Sequence, residues 1–220
     1  MSTLQLLAAD GNRLSAYLVK PEGTPRGAVV IVQEIFGVNS HIRRVAEQYA
    51  AEGYLVIAPA MFDRLQKDVN LGYDAADMQA GLALMARTTN EGVLADVNAA
   101  VDAVAHAGKV GMVGYCWGGR VTYLSACRTN IAAGVVYYGG GTAQLLPETP
   151  RCPVMFHFGE RDTYIPLPDV EKIRSAFPQG EYHLYPADHG FNCTARSSFE
   201  PASARLAFER SLDFFRRYLG

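Results

Sequence analysis

Several features are missing from this 220-residue chain, and each absence narrows what it does. No apolar stretch approaches the roughly 20 residues needed to cross a bilayer, so no membrane partner is expected. The four cysteines, Cys116, Cys127, Cys152 and Cys193, form no CxxC pair. Their wide spacing gives neither a zinc ladder nor a dense disulfide framework. Free thiols in a reducing cytoplasm are therefore expected, with Cys127, Cys152 and Cys193 acting as small buried hydrophobes. No histidine spacing resembles a metal site, and neither metal nor cofactor is expected. Net charge is only −2, with no long basic run. Sequence-independent nucleic-acid binding, which needs a strongly basic surface, is therefore not expected. The N-terminal stretch MSTLQLLAADGNRL lacks a basic segment followed by a continuous apolar run, so no secretory signal is expected. There is no internal repeat, low-complexity segment or linker, and one domain over 1–220 is the economical reading.

What is present is a globular composition, 49% hydrophobic and 19% charged, in an alternating strand and helix pattern. Strands are predicted at 14–20, 27–33, 54–58, 109–115, 131–138, 153–158 and 181–185. The run GAVVIVQ at 27–33 is apolar throughout, as in a strand covered on both faces. Ile42, Val45, Ala46, Tyr49 and Ala50 recur at helical spacing and predict a helix over 40–52, closed by Gly53. Further helices are predicted near 74–87, over 91–107, after Cys116, at 168–177 and at the C-terminus, where Phe208, Leu212, Phe215 and Leu219 form a stripe. Residues 60–73 read as a loop. Strands separated by helices require crossover connections, hence an α/β fold with a mostly parallel sheet and helices on both faces.

Between the strand at 109–115 and the helix after it lies Gly114-Tyr115-Cys116-Trp117-Gly118-Gly119. This is the spacing of the G-x-S-x-G nucleophile elbow, with cysteine in place of serine. A nucleophile on a tight strand-to-helix turn projects above the sheet, and glycines on either side keep other side chains clear of the turn. The helix N-terminus behind Cys116 favours negative charge and helps a thiolate form. The Trp117 backbone N–H points toward a developing oxyanion.

In such folds an acid and a histidine follow the nucleophile in that order. The strand at 153–158 runs into Gly159-Glu160-Arg161-Asp162, and Asp162 is the candidate acid. Asp188 and Asp169 are rivals, although Asp188 adjoins the candidate histidine too closely for an easy side-chain bond. His189 lies on a loop after the strand at 181–185. His41 and His106 fall on helices, and His157 and His183 fall inside strands, where structural roles are expected.

Taken together, Gln33-Glu34-Ile35-Phe36-Gly37, the cysteine elbow, Tyr137-Tyr138-Gly139, Gly159-Glu160-Arg161-Asp162 and Asp188-His189-Gly190-Phe191 resemble the dienelactone hydrolases, also called carboxymethylenebutenolidases. The resemblance spans nearly the whole chain. It implies an α/β-hydrolase fold and a Cys116–Asp162–His189 triad. It also implies an oxyanion hole from the backbone N–H groups of Ile35 and Trp117, and a Glu34 carboxylate beside the nucleophile that holds the resting cysteine as a thiol. A small-molecule ester or lactone substrate and a monomer or small homo-oligomer are expected, with Phe36 and Trp117 as pocket walls and Tyr137 and Tyr138 as either pocket walls or core packing. The two arginines that hold a substrate carboxylate in the family fall, by spacing, at Met78 and Cys193. Arg87 and Arg196 are the candidates to replace them, so the resemblance implies a lactone, ester or thioester without fixing dienelactone itself. A non-catalytic ligand binder or a thiol redox sensor on the same fold is the alternative reading.

Overall fold

The computed structural model describes residues 1–220. Eight strands, β1 (Ser2–Leu7), β2 (Arg13–Val19), β3 (Ala28–Val32), β4 (Leu55–Pro59), β5 (Val110–Tyr115), β6 (Ala133–Tyr137), β7 (Val154–Gly159) and β8 (Glu181–Tyr185), form one sheet in the order β1-β2-β4-β3-β5-β6-β7-β8. The five contacts from β4 to β8 are parallel. The pairings of β2 with β1 and with β4 are antiparallel. The sheet is therefore mostly parallel, as the alternating pattern requires.

β1 has no counterpart among the predicted strands. Only Leu6 of its six residues is buried. An edge strand held by main-chain bonds to one neighbour needs no buried face, so it leaves little hydrophobic pattern to read. By contrast β3 to β7 are buried at every position, which requires cover on both faces.

Six helices provide it: α1 (Ser40–Ala51), α2 (Ala75–Met85), α3 (Asn90–Val104), α4 (Trp117–Arg128), α5 (Leu167–Ala176) and α6 (Pro201–Tyr218). The apolar stripe of α1 is buried as predicted, and Asn39 caps the helix by accepting from the Ile42 N–H at 3.3 Å. α2 starts on Asp74, whose carboxylate accepts from the Asp77 N–H at 2.9 Å. α6 lays Leu212 and Phe215 into the core, joined by its C-cap Leu219, and Phe208 and Phe215 meet Tyr49 of α1 edge-on. No helix is long and apolar enough to cross a membrane.

Two details of this frame position the chemistry. First, β3 is followed by β4 on one side and β5 lies on the other, so the chain reverses its direction of winding between β3 and β5. The carboxyl ends of strands flanking such a reversal open a crevice, and the segments leaving them are Gln33–Gly37 and Cys116. Second, a buried polar network ties the sheet to α6. His157 Nδ1 is 2.8 Å from the Tyr185 hydroxyl and its Nε2 is 3.0 Å from Ser211 Oγ. Tyr137 OH lies 2.9 Å from the same Ser211 oxygen. Burial drives the His157 pKa well down, so it stays a neutral structural imidazole, as its place inside a strand led one to expect.

Candidate active site

Cys116 follows β5 with φ 54° and ψ −120°. A side chain rarely adopts this left-handed backbone, and it persists only where the surroundings hold it. The surroundings here are backbone. A Cβ on Gly114 would sit 1.9 Å from the Gly118 carbonyl oxygen. One on Gly118 would sit 2.3 Å from Val32 O and 2.5 Å from Gln33 O. The two glycines thus let the first turn of α4 press against the end of β3. The Cys116 N–H donates to Tyr137 O at 3.0 Å, anchoring the turn to β6. The sulfur-bearing residue is left half-buried and lines a cavity of about 540 Å³.

His189 lines the same cavity. Its Nδ1 is 2.8 Å from Asp162 Oδ2, and both side chains are buried. The other Asp162 oxygen accepts from the Tyr164 and Ile165 N–H groups at 2.8 and 3.1 Å. The carboxylate is therefore fixed at both ends. Of its rivals, Asp188 accepts from the His189 backbone N–H at 2.6 Å and leaves the ring alone. Asp169 pairs with Lys172 on α5. The rings of Tyr138 and Tyr164 stand edge-on to the imidazole at centroid distances of 5.1 and 5.0 Å.

Burial alone depresses the His189 pKa, but the charge of Cys116 and the hydrogen bond to Asp162 outweigh it and push the value up to about 10. A folded-state value above the ordinary 6.5 means that the folded chain holds the proton more tightly than the unfolded one. The resulting stability is complete below pH 6.5 and is lost as pH rises through about 10. The denaturation midpoint of the wild type should exceed that of His189→Gln by most at pH 6, and the gap should shrink steadily toward pH 10. A gap independent of pH would contradict the coupling.

Glu34 is buried and turned toward Arg196 and Tyr73. Its Oε1 is 3.8 Å from Arg196 Nη1, and its Oε2 accepts from the Tyr73 hydroxyl at 3.4 Å. No hydrogen bond joins it to Cys116. Burial raises its pKa, opposed by the positive charge of Arg196 and by His189. The carboxylate expected beside the nucleophile faces an arginine and a tyrosine instead, with no contact to the sulfur. Cys193 and the unpartnered Nε2 of His41 complete a cluster with Glu34 in which the three ligand atoms lie within 4.8 Å of one another. The Arg196 guanidinium already supplies positive charge to that carboxylate, so the donor set suits a cation poorly.

The remaining expectations divide. Ile35, Phe36 and Trp117 line the cavity. Tyr137 and Tyr138 do not: both are fully buried behind it, Tyr137 in the Ser211 network and Tyr138 against His189 and Phe191. Their rings fill the core below the site, so of the two readings core packing holds and the wall reading is corrected. Cys127 and Cys193 are buried, while Cys152 is only partly so. Met78 lines the cavity, Arg196 lines it too, and Arg87 is exposed outside it. Four polar residues of the wall, Thr88, Asn90, Arg120 and Gln144, escaped sequence reasoning. Only Arg120 carried a signal, because it stands four residues beyond Cys116 on one helix.

Comparisons with known proteins show the family of the chain. The profile of the dienelactone hydrolase family matches residues 14–219. The chain is 32% identical over 222 residues to a carboxymethylenebutenolidase of Pseudomonas putida, covering 96% of this chain and 94% of that one. It is 34% identical over 242 residues to a Synechocystis protein described as "Putative carboxymethylenebutenolidase", covering 99% and 97%. Among solved structures, one titled "Putative Dienelactone Hydrolase" from Klebsiella pneumoniae superposes with a TM-score of 0.86 at 29% identity, covering 99% of this chain and all of that one.

Proposed function

This chain belongs to the dienelactone hydrolase family and is an ester or lactone hydrolase, and from that premise we propose that it cleaves its substrate through a Cys116 thioester. The observation that carries the proposal is the 2.8 Å Asp162–His189 bond, with His189 and Cys116 facing one cavity. Cys116 and His189 share one proton, which sits on the imidazole as the thiolate sulfur attacks the carbonyl carbon. The carbonyl π electrons move onto oxygen, where the backbone N–H groups of Ile35 and Trp117 receive them. Collapse expels the alcohol or enol, which leaves with the proton from His189. A water molecule, deprotonated by the same imidazole, then attacks the thioester and releases the acid and the thiol.

Asp162 holds the imidazole with Nε2 toward the sulfur and stabilises its cation. Glu34 acts on this pair through Arg196 and the surrounding field rather than by touching the sulfur. Phe36, Trp117, Met78, Leu82 and Met85 supply an apolar lining for the acyl and alcohol portions. No cofactor takes part in these steps.

Assay of the purified chain against activated carboxylic esters and lactones tests the reading. Saturable hydrolysis, abolished by alkylation of Cys116, is expected. Binding of these compounds without turnover would leave a ligand-binding protein. Oxidation of Cys116 by peroxide faster than acylation by any ester would leave a redox sensor.

A further inference from the structure

Part of the cavity wall is α2, and of its 11 residues only Gly81 and Leu84 are buried. Met78, Leu82 and Met85 line the cavity. Their spacing of four and three puts them, together with Gly81, on one side of the helix. At Gly81 that side meets the segment leaving β3. A Cβ there would sit 2.3 Å from the Ile35 carbonyl oxygen and 3.2 Å from Ile35 Cβ. The first distance is to backbone, which cannot swing aside as a flexible side chain can, so glycine is what permits the approach. In a helix interior alanine is the most favourable residue and glycine among the least. The helix is therefore weakened at the one point where it touches Ile35.

What holds the rest of that segment is hydrogen bonding. Gln33 Oε1 accepts from the Met61 N–H at 3.1 Å, and Gln33 Nε2 donates to the Glu34 carbonyl at 3.3 Å. On the other flank the Phe36 carbonyl accepts from the Leu71 N–H at 2.9 Å. Ile35 lies between these anchors, and neither its N–H nor its carbonyl makes a hydrogen bond within the chain. A free backbone N–H on a residue that lines the cavity is what an oxyanion donor requires. With no hydrogen bond of its own, Ile35 takes its direction from the two flanks and from the packing of Gly81 against its carbonyl.

We propose that Gly81 is a positioning residue, through which α2 presses on Ile35 and aims that residue's N–H at the oxyanion. This rests on the Cys116 and Ile35 roles given above and adds the element that sets the donor in place. A Cβ at position 81 pushes the Ile35 carbonyl away from α2 and moves the Cα that also carries the N–H. Small misplacements of a preorganised group are costly, because a shift of about 1 Å can lower a rate by about 10². Gly81 touches neither the sulfur nor the imidazole, so its effect is confined to reactions that place negative charge on oxygen.

The test separates reactions of Cys116 that build an oxyanion from one that does not. With p-nitrophenyl acetate or trifluoroacetone the sulfur adds to a carbonyl carbon and the π electrons move onto oxygen. With iodoacetamide the sulfur displaces iodide from a saturated carbon, and no oxyanion forms. Gly81→Ala should lower kcat/KM for the ester and weaken inhibition by trifluoroacetone, each by about tenfold or more. The rate of alkylation by iodoacetamide should stay within about twofold of the wild type. Ala80→Gly, at an exposed position on the far side of α2, puts a glycine in the helix without touching the contact and should alter neither reaction. Unchanged ester turnover in Gly81→Ala, or alkylation that falls as far as turnover does, overturns the proposal. Should Gly81→Ala fail to fold, Asp74→Ala decides. It removes the carboxylate that caps α2 through the Asp77 N–H, loosens the helix against Ile35, and should show the same split between ester and iodoacetamide; no split overturns the proposal. Should the wild type neither hydrolyse the ester nor bind trifluoroacetone, the thioester reading itself fails, visibly before any variant is compared, and the role of Gly81 falls with it.

Discussion

Replacing Cys116 with alanine should lower kcat by at least roughly 10⁴ while substrate binding is retained. The size follows from what the sulfur does in the proposed route. Without it no thioester forms, and hydrolysis must proceed by direct attack of water. The Ile35 and Trp117 N–H groups and the binding cavity remain, and such remnants keep only a small part of the acceleration. The fold should survive. Alanine has the same Cβ at φ 54°, so the turn is no more strained than before, and the sulfur is only half-buried. Steady-state kinetics on the wild type and the variant, with binding of the product acid as a control for integrity, measure the effect. A loss smaller than tenfold would remove Cys116 from the chemistry.

Asp162→Asn should cost nearly as much, about 10⁴ in kcat, for a different reason. The asparagine carbonyl can keep accepting from the Tyr164 and Ile165 N–H groups, as Oδ1 does now. Its amide nitrogen then faces His189 Nδ1 and donates where the carboxylate accepted. The imidazole is driven into the tautomer that carries its proton on Nε2, and it cannot take one from the sulfur. The negative charge that stabilised the imidazolium is lost as well, so the His189 pKa should fall from its raised value. The pH–rate profile distinguishes this from simple misfolding. A correctly folded variant, shown by an unchanged near-ultraviolet dichroism spectrum, should be slow at every pH. Activity within tenfold of the wild type would mean that Asp162 does not orient the base.

The frame of this molecule is legible because its signals are local. The continuous apolar strand at 28–32, the α1 stripe from Ile42 to Ala50 and the glycines around Cys116 each state their structure within a few residues. The order Cys116, Asp162, His189 is legible for the same reason, since each candidate follows a recognisable strand. What stayed hidden depends on the approach of distant segments. Glu34, just after β3, meets Arg196 of the loop between β8 and α6, and no pattern in either neighbourhood announces it. Tyr137 and Tyr138 carry the same chemistry in a wall as in a core, and only the packing of Phe191 and Ser211 decides between them. Arg120 becomes part of the cavity only because α2 and the turn at 140–141 close around it. β1 buries one residue and so leaves no stripe to detect.

The central claim is that the acyl group passes through the sulfur of residue 116. Rapid acid quench of the wild-type chain during turnover of an activated ester, followed by peptide mass spectrometry, tests it most directly. The account predicts an added acyl mass on the peptide containing Cys116, appearing before the steady state and removed by hydroxylamine. Continued turnover with the acyl group on another residue, or with no adduct on a chain quenched within the first turnover, would contradict it.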